Sequence, residues 1–192
     1  MFTIRKYRNE DCNQITNIYA HHVTYGTGSF ETVPPTIEEM ATRLGDISDA
    51  GFPIYVAVTQ ENIICGYGYG SAHKQRFGYR YTVEDSLYVH PDYLQQGIGT
   101  ALLDRLIQSC TEKGFHQMIA VIGDSENLGS RLTHEKSGFR LIGIAHHMGL
   151  KFNRFLDVVY MQKMLCPEDA ILQKIQSENI KNAEMLKKPP NS

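Results

Sequence analysis

An α/β fold of about seven strands and four helices is predicted by three features of the 192-residue sequence. From Val83 to Val89 the side chains alternate, with Val83, Asp85, Leu87 and Val89 on one face and Glu84, Ser86 and Tyr88 on the other, as in a strand. After Gly97 the apolar residues Ile98, Ala101, Leu102, Leu106 and Cys110 recur at helical steps. Gln117 to Ile122 is then near-continuously apolar, as expected of a strand covered on both faces.

The other elements follow in order. Phe2 and Ile4 open a short strand. Asn9 reads as an N-cap, with Glu10 and Asp11 in the first turn and Cys12, Ile15, Ile18, Tyr19 and Val23 as the buried stripe of a helix that Gly26 and Gly28 end. Beyond Pro34-Pro35, Thr36 and Glu39 form a capping-box pair, and Ile37, Met40, Ala41, Leu44 and Ile47 mark a second amphipathic helix. Ile54 to Thr59 and Ile63 to Tyr69 read as a hairpin around Gln60-Glu61-Asn62. A basic and aromatic loop, Ser71 to Arg80, leads into the central strand.

Beyond the central helix, Gly114 reads as its C-cap. Asn127 to Ser137 is a short helix, and Phe139 to His146 and Phe155 to Met164 alternate as two more strands. We read residues 1–166 as one domain and 167–192 as a tail, one loose helix carrying Ile171, Ile175 and Ile180 and then a disordered Lys-Lys-Pro-Pro end.

Composition narrows the function. A net charge of −2 leaves no basic field for nucleic acid. The first residues are charged and hold no apolar segment of signal-peptide length, and the longest clean apolar run, Ile54 to Val58, is too short to span a bilayer. Four cysteines spread singly, without CxxC spacing, fit free thiols in a reducing cytoplasm. The histidine pairs His21-His22 and His146-His147 point apart on any regular element, so no metal site is expected.

The turn Gln96-Gly97-Ile98-Gly99 joins strand to helix. Two glycines at a helix start each cost about 1 kcal/mol relative to alanine in a helix interior, yet bare backbone there can wrap a phosphate, because the first-turn N–H groups lack partners and carry partial positive charge. No third glycine follows for a dinucleotide fingerprint, and no Gly-Lys-Ser/Thr for a Walker loop.

The turn resembles instead the acyl-CoA loop of the GNAT superfamily of N-acetyltransferases, Gln/Arg-x-x-Gly-x-Gly/Ala. The glycines match. The first position is Leu94, followed by Gln95 and Gln96, which removes one expected pyrophosphate contact and leaves the backbone contacts. The predicted element order is also similar to the GNAT fold, which implies a mixed, mostly antiparallel central sheet. Within the superfamily the chain resembles the phosphinothricin and methionine sulfoximine N-acetyltransferase group. The residues that carry this are Ser29-Phe30-Glu31-Thr32, Tyr81-Thr82-Val83-Glu84, Ser86-Leu87-Tyr88-Val89-His90-Pro91, Val121-Ile122-Gly123, and Asn127-x-x-Ser130 followed by His134-Glu135-Lys136-Ser137-Gly138-Phe139.

The resemblance implies acetyl-CoA as donor, a small-molecule amine as acceptor and a homodimer, with no metal, nucleic acid or membrane partner. It implies backbone groups of Leu87, Tyr88 and Val89 along the pantetheine, Gln95, Gln96, Gly97, Ile98, Gly99 and Thr100 around the pyrophosphate, and Asn127 with Ser130 at the pantetheine arm. Asn127 is equally a helix N-cap. Glu84 is the candidate base and His134 the candidate acid for the leaving thiolate; a solvent-facing glutamate and a packing histidine are the plainer readings. On the acceptor side stand Phe30, Arg76, Phe77, Tyr79 and Arg80, since arginine presents a fork that matches a carboxylate, although such a loop is often only solvated. The competing readings are acetylation of another amine (a protein N-terminus, a polyamine or an antibiotic) and a non-catalytic acyl-CoA-binding module.

Overall fold

In the computed structural model, which describes residues 1–186, seven strands form one sheet in the order β1-β2-β3-β4-β5-β7-β6. The strands are β1 (Phe2–Lys6), β2 (Ile54–Thr59), β3 (Ile64–Ala72), β4 (Thr82–Val89), β5 (Gln117–Gly123), β6 (Arg140–Lys151) and β7 (Arg154–Met164). Every neighbouring pair is antiparallel except β4 and β5. The helices are α1 (Cys12–Tyr25), α2 (Ile37–Asp49), α3 (Ile98–Glu112), α4 (Leu128–Lys136) and α5 (Glu168–Leu186). The mixed, mostly antiparallel sheet matches the expected architecture. The fifth helix is the one expected in the tail, where Ile171 is buried. The expected disordered end falls on 187–192, outside the described residues.

Two cores lie on the two faces of the sheet. Leu102, Leu103, Leu106 and Cys110 of α3 pack on Tyr55, Ala57, Val83, Met118 and Ala120. On the opposite face Ile15, Ile18 and Tyr19 of α1 and Met40 and Leu44 of α2 meet Val56, Ile64 and Tyr67. Alternation along β4 therefore sends Val83, Asp85 and Leu87 toward α3, and Glu84, Ser86 and Tyr88 toward α1. Glycines in β3 let α3 come close, since a Cβ on Gly68 would sit 2.6 Å from Leu87 Cδ2 and 3.1 Å from Leu106 Cδ1.

Several local expectations are corrected. The entry to α1 is not capped by Asn9: residues 9–11 form a 3-10 turn, and the Asp11 carboxylate accepts the Arg8 backbone N–H at 2.8 Å while receiving two Arg5 guanidinium bonds of 2.7 Å. The doubly bonded carboxylate is the stronger clamp. On α2 the Thr36–Glu39 capping box forms as expected, but Ile37 and Ala41 are exposed and only Met40 and Leu44 of the apolar stripe are fully buried. Strand β6 runs on past His146 to Lys151, carried through an irregularity between Ala145 and Gly149 where His147 takes φ +56°. That irregularity breaks the two-residue period which located the strand.

Candidate active site

The site begins at a fork. Pairing of β4 with β5 ends at Asp85 opposite Ala120, while β5 stays bonded to β7 through Gly123. From Ser86 to Val89, β4 keeps only its β3 partner. His90 donates its backbone N–H to Cys65 of β3 at 3.0 Å. By antiparallel alternation the backbone groups of Tyr88 also face β3, and those of Leu87 and Val89 face the fork. Tyr88 is therefore corrected as a backbone ligand; its ring instead lies in an aromatic cluster on the α1 face, 4.9 Å from Tyr19 and 5.2 Å from Tyr67 between centroids. His22 of α1 donates from Nε2 to the Val89 carbonyl at 2.8 Å. An extended ligand in the fork would meet the Leu87 N–H and C=O and the Val89 N–H, as an added strand does.

The mouth of the fork is the first turn of α3. Gly97 caps it at φ +78° without a side-chain bond, and Gln95 also takes a positive φ of +60°. The first-turn N–H groups of Ile98, Gly99 and Thr100 thus meet no capping side chain, which suits an anion. Gln95, Gln96 and Gly97 are exposed, whereas the Ile98 side chain is in the core, so that residue offers only its backbone.

Helix α4 forms the α3-side wall. Asn127 caps it, accepting the Ser130 N–H at 3.2 Å. His134 points inward, with Nδ1 2.7 Å from the Ser130 carbonyl and Nε2 3.0 Å from Asp85 Oδ2. Burial is the largest single influence on this ring and lowers its pKa, but the hydrogen bond and charge of Asp85 outweigh it and the net shift is upward.

The opposite wall is on the α1 face. Glu84 is not a buried carboxylate: its side chain is 30% exposed and its Oε2 lies 2.9 Å from His73 Nδ1. Glu84 and His134 therefore stand on opposite faces of the sheet with the fork between them, an arrangement that can treat the two ends of one reacting group separately.

Loop 26–30 lies against the end of β5. A Cβ on Gly123 would lie 2.2 Å from the Thr27 carbonyl oxygen, so only glycine lets the loop rest on β5. The buried Lys151 ammonium holds it by donating to Gly26 O at 2.8 Å and Ser29 O at 2.6 Å. Phe30 packs over Gly149 of β6. In the basic loop Arg76, Phe77, Tyr79 and Arg80 are all exposed. Arg80 is spent locally, its guanidinium carbon 4.1 Å from the Phe77 ring centroid and 4.6 Å from that of Tyr81, whereas Arg76 makes no side-chain bond or ion pair among the described residues.

Comparison with known proteins decides the family. The model of the acetyltransferase (GNAT) domain matches residues 4–160. The chain belongs to the GNAT acetyltransferase family. Among GNAT relatives it is 42% identical over 170 residues to phosphinothricin N-acetyltransferase of Alcaligenes faecalis, covering 88% of this chain and 86% of that one. It is 35% identical over 164 residues to the L-methionine sulfoximine/L-methionine sulfone acetyltransferase of Salmonella typhimurium, covering 85% and 94%. A crystal structure of a GNAT phosphinothricin acetyltransferase from Sinorhizobium meliloti in complex with AcCoA superposes with a TM-score of 0.82 at 40% identity, covering 85% of this chain and 88% of that one.

Four residues around this GNAT site received no role from the sequence: Asp85, His22, His73 and Lys151. Asp85 carried a signal, a carboxylate alternating with Val83 and Leu87 on the apolar face of a strand. His22 and Lys151 act through contacts between elements distant in sequence, and His73 reaches Glu84 across the β3–β4 pairing, none of which periodicity reveals.

Proposed function

We propose that the chain transfers acetyl from acetyl-CoA to the α-amino group of a small amino-acid-like substrate, of the phosphinothricin or methionine sulfoximine type, by direct attack in a ternary complex. The observation that carries this is the fork, whose open Val89 N–H and Leu87 backbone groups lead from the uncapped turn of α3 to Asp85 and His134. Relatives named for those substrates, and a neighbour bound to AcCoA, support the substrate class and the donor.

The chemistry asks for a neutral amine, a stabilised oxyanion and a protonated leaving thiolate. An α-amino group with a pKa of roughly 7.7 to 8.0 loses its proton near neutrality at a cost of about 1 kcal/mol. Glu84 on the α1 face takes that proton, directly or through water. The Val89 N–H, left free because His22 occupies only the carbonyl, receives an amide oxygen of the pantetheine arm, the Leu87 N–H two residues further in faces the thioester oxygen, and His134 protonates sulfur from the other face. Direct transfer is favoured over an acetyl-cysteine route: Cys12, Cys65 and Cys110 are buried, and burial pushes the Cys110 thiol up to about 12.

We further propose a cytoplasmic homodimer. Free thiols suit a reducing compartment, and none of the described helices is long and apolar enough to cross a membrane. Edge strand β6 leaves Leu141, Ile142, Met148 and Leu150 exposed, a row that a second copy would cover. Sedimentation at micromolar concentration tests the dimer. For the reaction, thiol release from acetyl-CoA is followed across a panel of amino acids, phosphinothricin, methionine sulfoximine, polyamines, aminoglycosides and peptide N-termini. Turnover highest with the amino-acid analogues is expected. Preference for another class moves the acceptor assignment, and binding without turnover leaves a non-catalytic module.

A further inference from the structure

The Asp85–His134 pair is more than a packed histidine. A backbone carbonyl only accepts hydrogen bonds, so the His134 Nδ1 facing Ser130 O at 2.7 Å carries a proton. With Asp85 Oδ2 as the acceptor, the Nε2 facing it at 3.0 Å carries one too, in keeping with the upward shift that Asp85 gives the ring. The ring is an imidazolium held between two acceptors. Both side chains are almost wholly enclosed, at 4% and 2% exposure.

Such a pair is a poor way to stabilise a fold. The desolvation of two charges roughly cancels their attraction, and apolar residues of similar volume do as well or better. Moreover, the bonding is incomplete: Asp85 Oδ1 is buried and finds no partner among the described residues. An unpartnered carboxylate oxygen beside a charged histidine marks a place where a donor is expected. The position is equally telling. Asp85 is the last β4 residue paired with β5, at the point where the fork closes. A chain running inward from the α3 turn along Val89 and Leu87 ends there with its reactive tip.

We propose that Asp85 is the positioning residue for His134: it keeps the imidazole doubly protonated and holds the Nε2 proton in a hydrogen bond at the closed end of the fork, where an arriving sulfur shares that proton with Asp85 Oδ2 and takes it as the thiolate departs. The inference rests on the acetyl-transfer reading. In the step, the C–S bond of the tetrahedral intermediate breaks and its electron pair stays on sulfur. The Nε2 proton of His134 moves to that sulfur, giving the free thiol. The proton lost by the amine nitrogen goes to Glu84 and on to solvent, which recharges His134. After the transfer the bare Nε2 lone pair faces the Asp85 carboxylate, acceptor against acceptor, and this repulsion restores the imidazolium for the next turnover.

Few other charges reach the ring. Helix α4 packs on α3 and β5. β5 holds no ionisable side chain. On α3, Asp104 is turned to the Ser137 hydroxyl at 2.7 Å, and the Cys110 thiol near Asp85 is held neutral by burial. From α4 itself the Ser130 carbonyl at 2.7 Å and the Ser130 hydroxyl at 3.5 Å are the polar contacts, both uncharged, and Phe139 presents its ring edge-on at 5.0 Å. Asp85 is thus the charge that sets the protonation of His134.

Two readouts test this on the full chain. The first is the NMR titration of the His134 ring in the wild type and in Asp85→Asn, identified by its loss in His134→Gln. The wild-type ring is expected to titrate above the usual histidine range, and the variant about 1 to 3 pH units lower, the usual effect of an adjacent opposite charge. A wild-type midpoint at or below the ordinary histidine value overturns the proposal even if Asp85→Asn does not fold. The second is the pH profile of kcat with the preferred amine. Wild-type turnover should fall on the alkaline side as His134 loses its proton. In Asp85→Asn that limb should move toward acid, costing about tenfold for each unit of displacement at high pH. Asp85→Asn/His134→Gln should be no slower than His134→Gln alone. A variant that only lowers Tm and keeps the wild-type alkaline limb makes the pair structural. Absence of turnover by the wild type with every amine overturns the acetyl-transfer reading instead, and the NMR arm still decides whether Asp85 governs His134.

Discussion

His22 of α1 donates its Nε2 proton to the carbonyl oxygen of Val89 in β4 across 2.8 Å, closing one hydrogen-bonding group of the fork and leaving its neighbour open. The β4 edge would otherwise expose both the N–H and the C=O of Val89, and an extended ligand could bind in more than one register. With the carbonyl occupied, an amide oxygen of the pantetheine arm has a donor to meet and no competing acceptor beside it. The helix thereby orients a strand edge to which it is not covalently adjacent.

The half-buried His22 and the buried His134 make opposite contributions to stability against pH. Burial lowers the His22 pKa, and the Val89 bond offsets this only in part. Below the unfolded value of about 6.5 the unfolded chain binds a proton that folded His22 refuses, so this contribution is lost as pH falls from that value through the lowered folded one. The net shift of His134 is upward. Its contribution is fully present below about 6.5 and is lost as pH rises through the raised folded value. Thermal melts from pH 4 to 9 should show His22→Gln flattening the acid side and His134→Gln the alkaline side. Identical profiles for both variants would mean that neither ring titrates as the geometry requires.

The glycines of the α3 turn have separable jobs. Gly97 sits at φ +78° with nothing near its missing Cβ, so Gly97→Ala should cost about 1 to 2 kcal/mol through left-handed strain alone. A Cβ on Gly99 would make ordinary contacts, 3.6 Å to Thr133 Cγ2 and 3.7 Å to Val89 Cγ2, so Gly99→Val should fold. Its branches would lie over the first-turn N–H groups. The expected result is an unchanged melting temperature without ligand and loss of the upward shift that acetyl-CoA gives the wild type. A Gly99→Val protein with the full shift would remove the turn from the pyrophosphate site.

The fold was legible because it rests on local signals. Thr36 and Glu39 form the capping box that their spacing announces, and the apolar steps from Ile98 to Cys110 are the buried face of α3. Where the sequence misled, a long-range contact had overridden a local preference, as when Asp11 rather than Asn9 orders the entry to α1 because Arg5 reaches it from β1. The candidate site was legible only in part for the same reason. Glu84, His134 and the glycine turn lie on patterned elements, but the fork arises where β5 parts from β4 while staying paired with β7, and no property of either strand alone announces that parting. Asp85 was visible as a charge on an apolar face, but its partner sits on another helix.

The two arginines of the loop between β3 and β4 should behave differently. Arg80 is stacked on Phe77 and Tyr81 and donates to the Phe77 carbonyl at 3.2 Å. Arg76, exposed and without such bonds, is the better placed to receive a substrate carboxylate through its planar fork. Arg76→Ala should raise KM for an amino acid about tenfold, the worth of a charge-assisted bond near 1.5 kcal/mol, and leave KM for the decarboxylated amine nearly unchanged. Arg80→Ala should affect both acceptors alike through the loop. Equal effects of Arg76→Ala on the two substrates would make the whole loop scaffold.

The last prediction concerns Glu84, whose Oε2 lies 2.9 Å from His73 Nδ1 on the face away from His134. If Glu84 accepts the amine proton, Glu84→Gln keeps the shape and removes the base. Turnover near neutrality should fall about a hundredfold or more, the usual range for general base catalysis. The residual rate should climb with pH, because a substrate amine that has already lost its proton needs no base. His73 can act only through the carboxylate it holds, so His73→Phe should lose less than Glu84→Gln. Added to Glu84→Gln it should lose little further, since residues that serve one function are not additive. Acetyl-CoA affinity should stay unchanged in all three proteins, because neither side chain faces the α3 turn. The measurement is kcat against pH for the wild type, both single variants and the double variant, with acetyl-CoA binding by thermal shift as the control. Wild-type turnover by Glu84→Gln at pH 7 would take the carboxylate out of the chemistry, whereas a full further loss in the double variant would give His73 a task of its own.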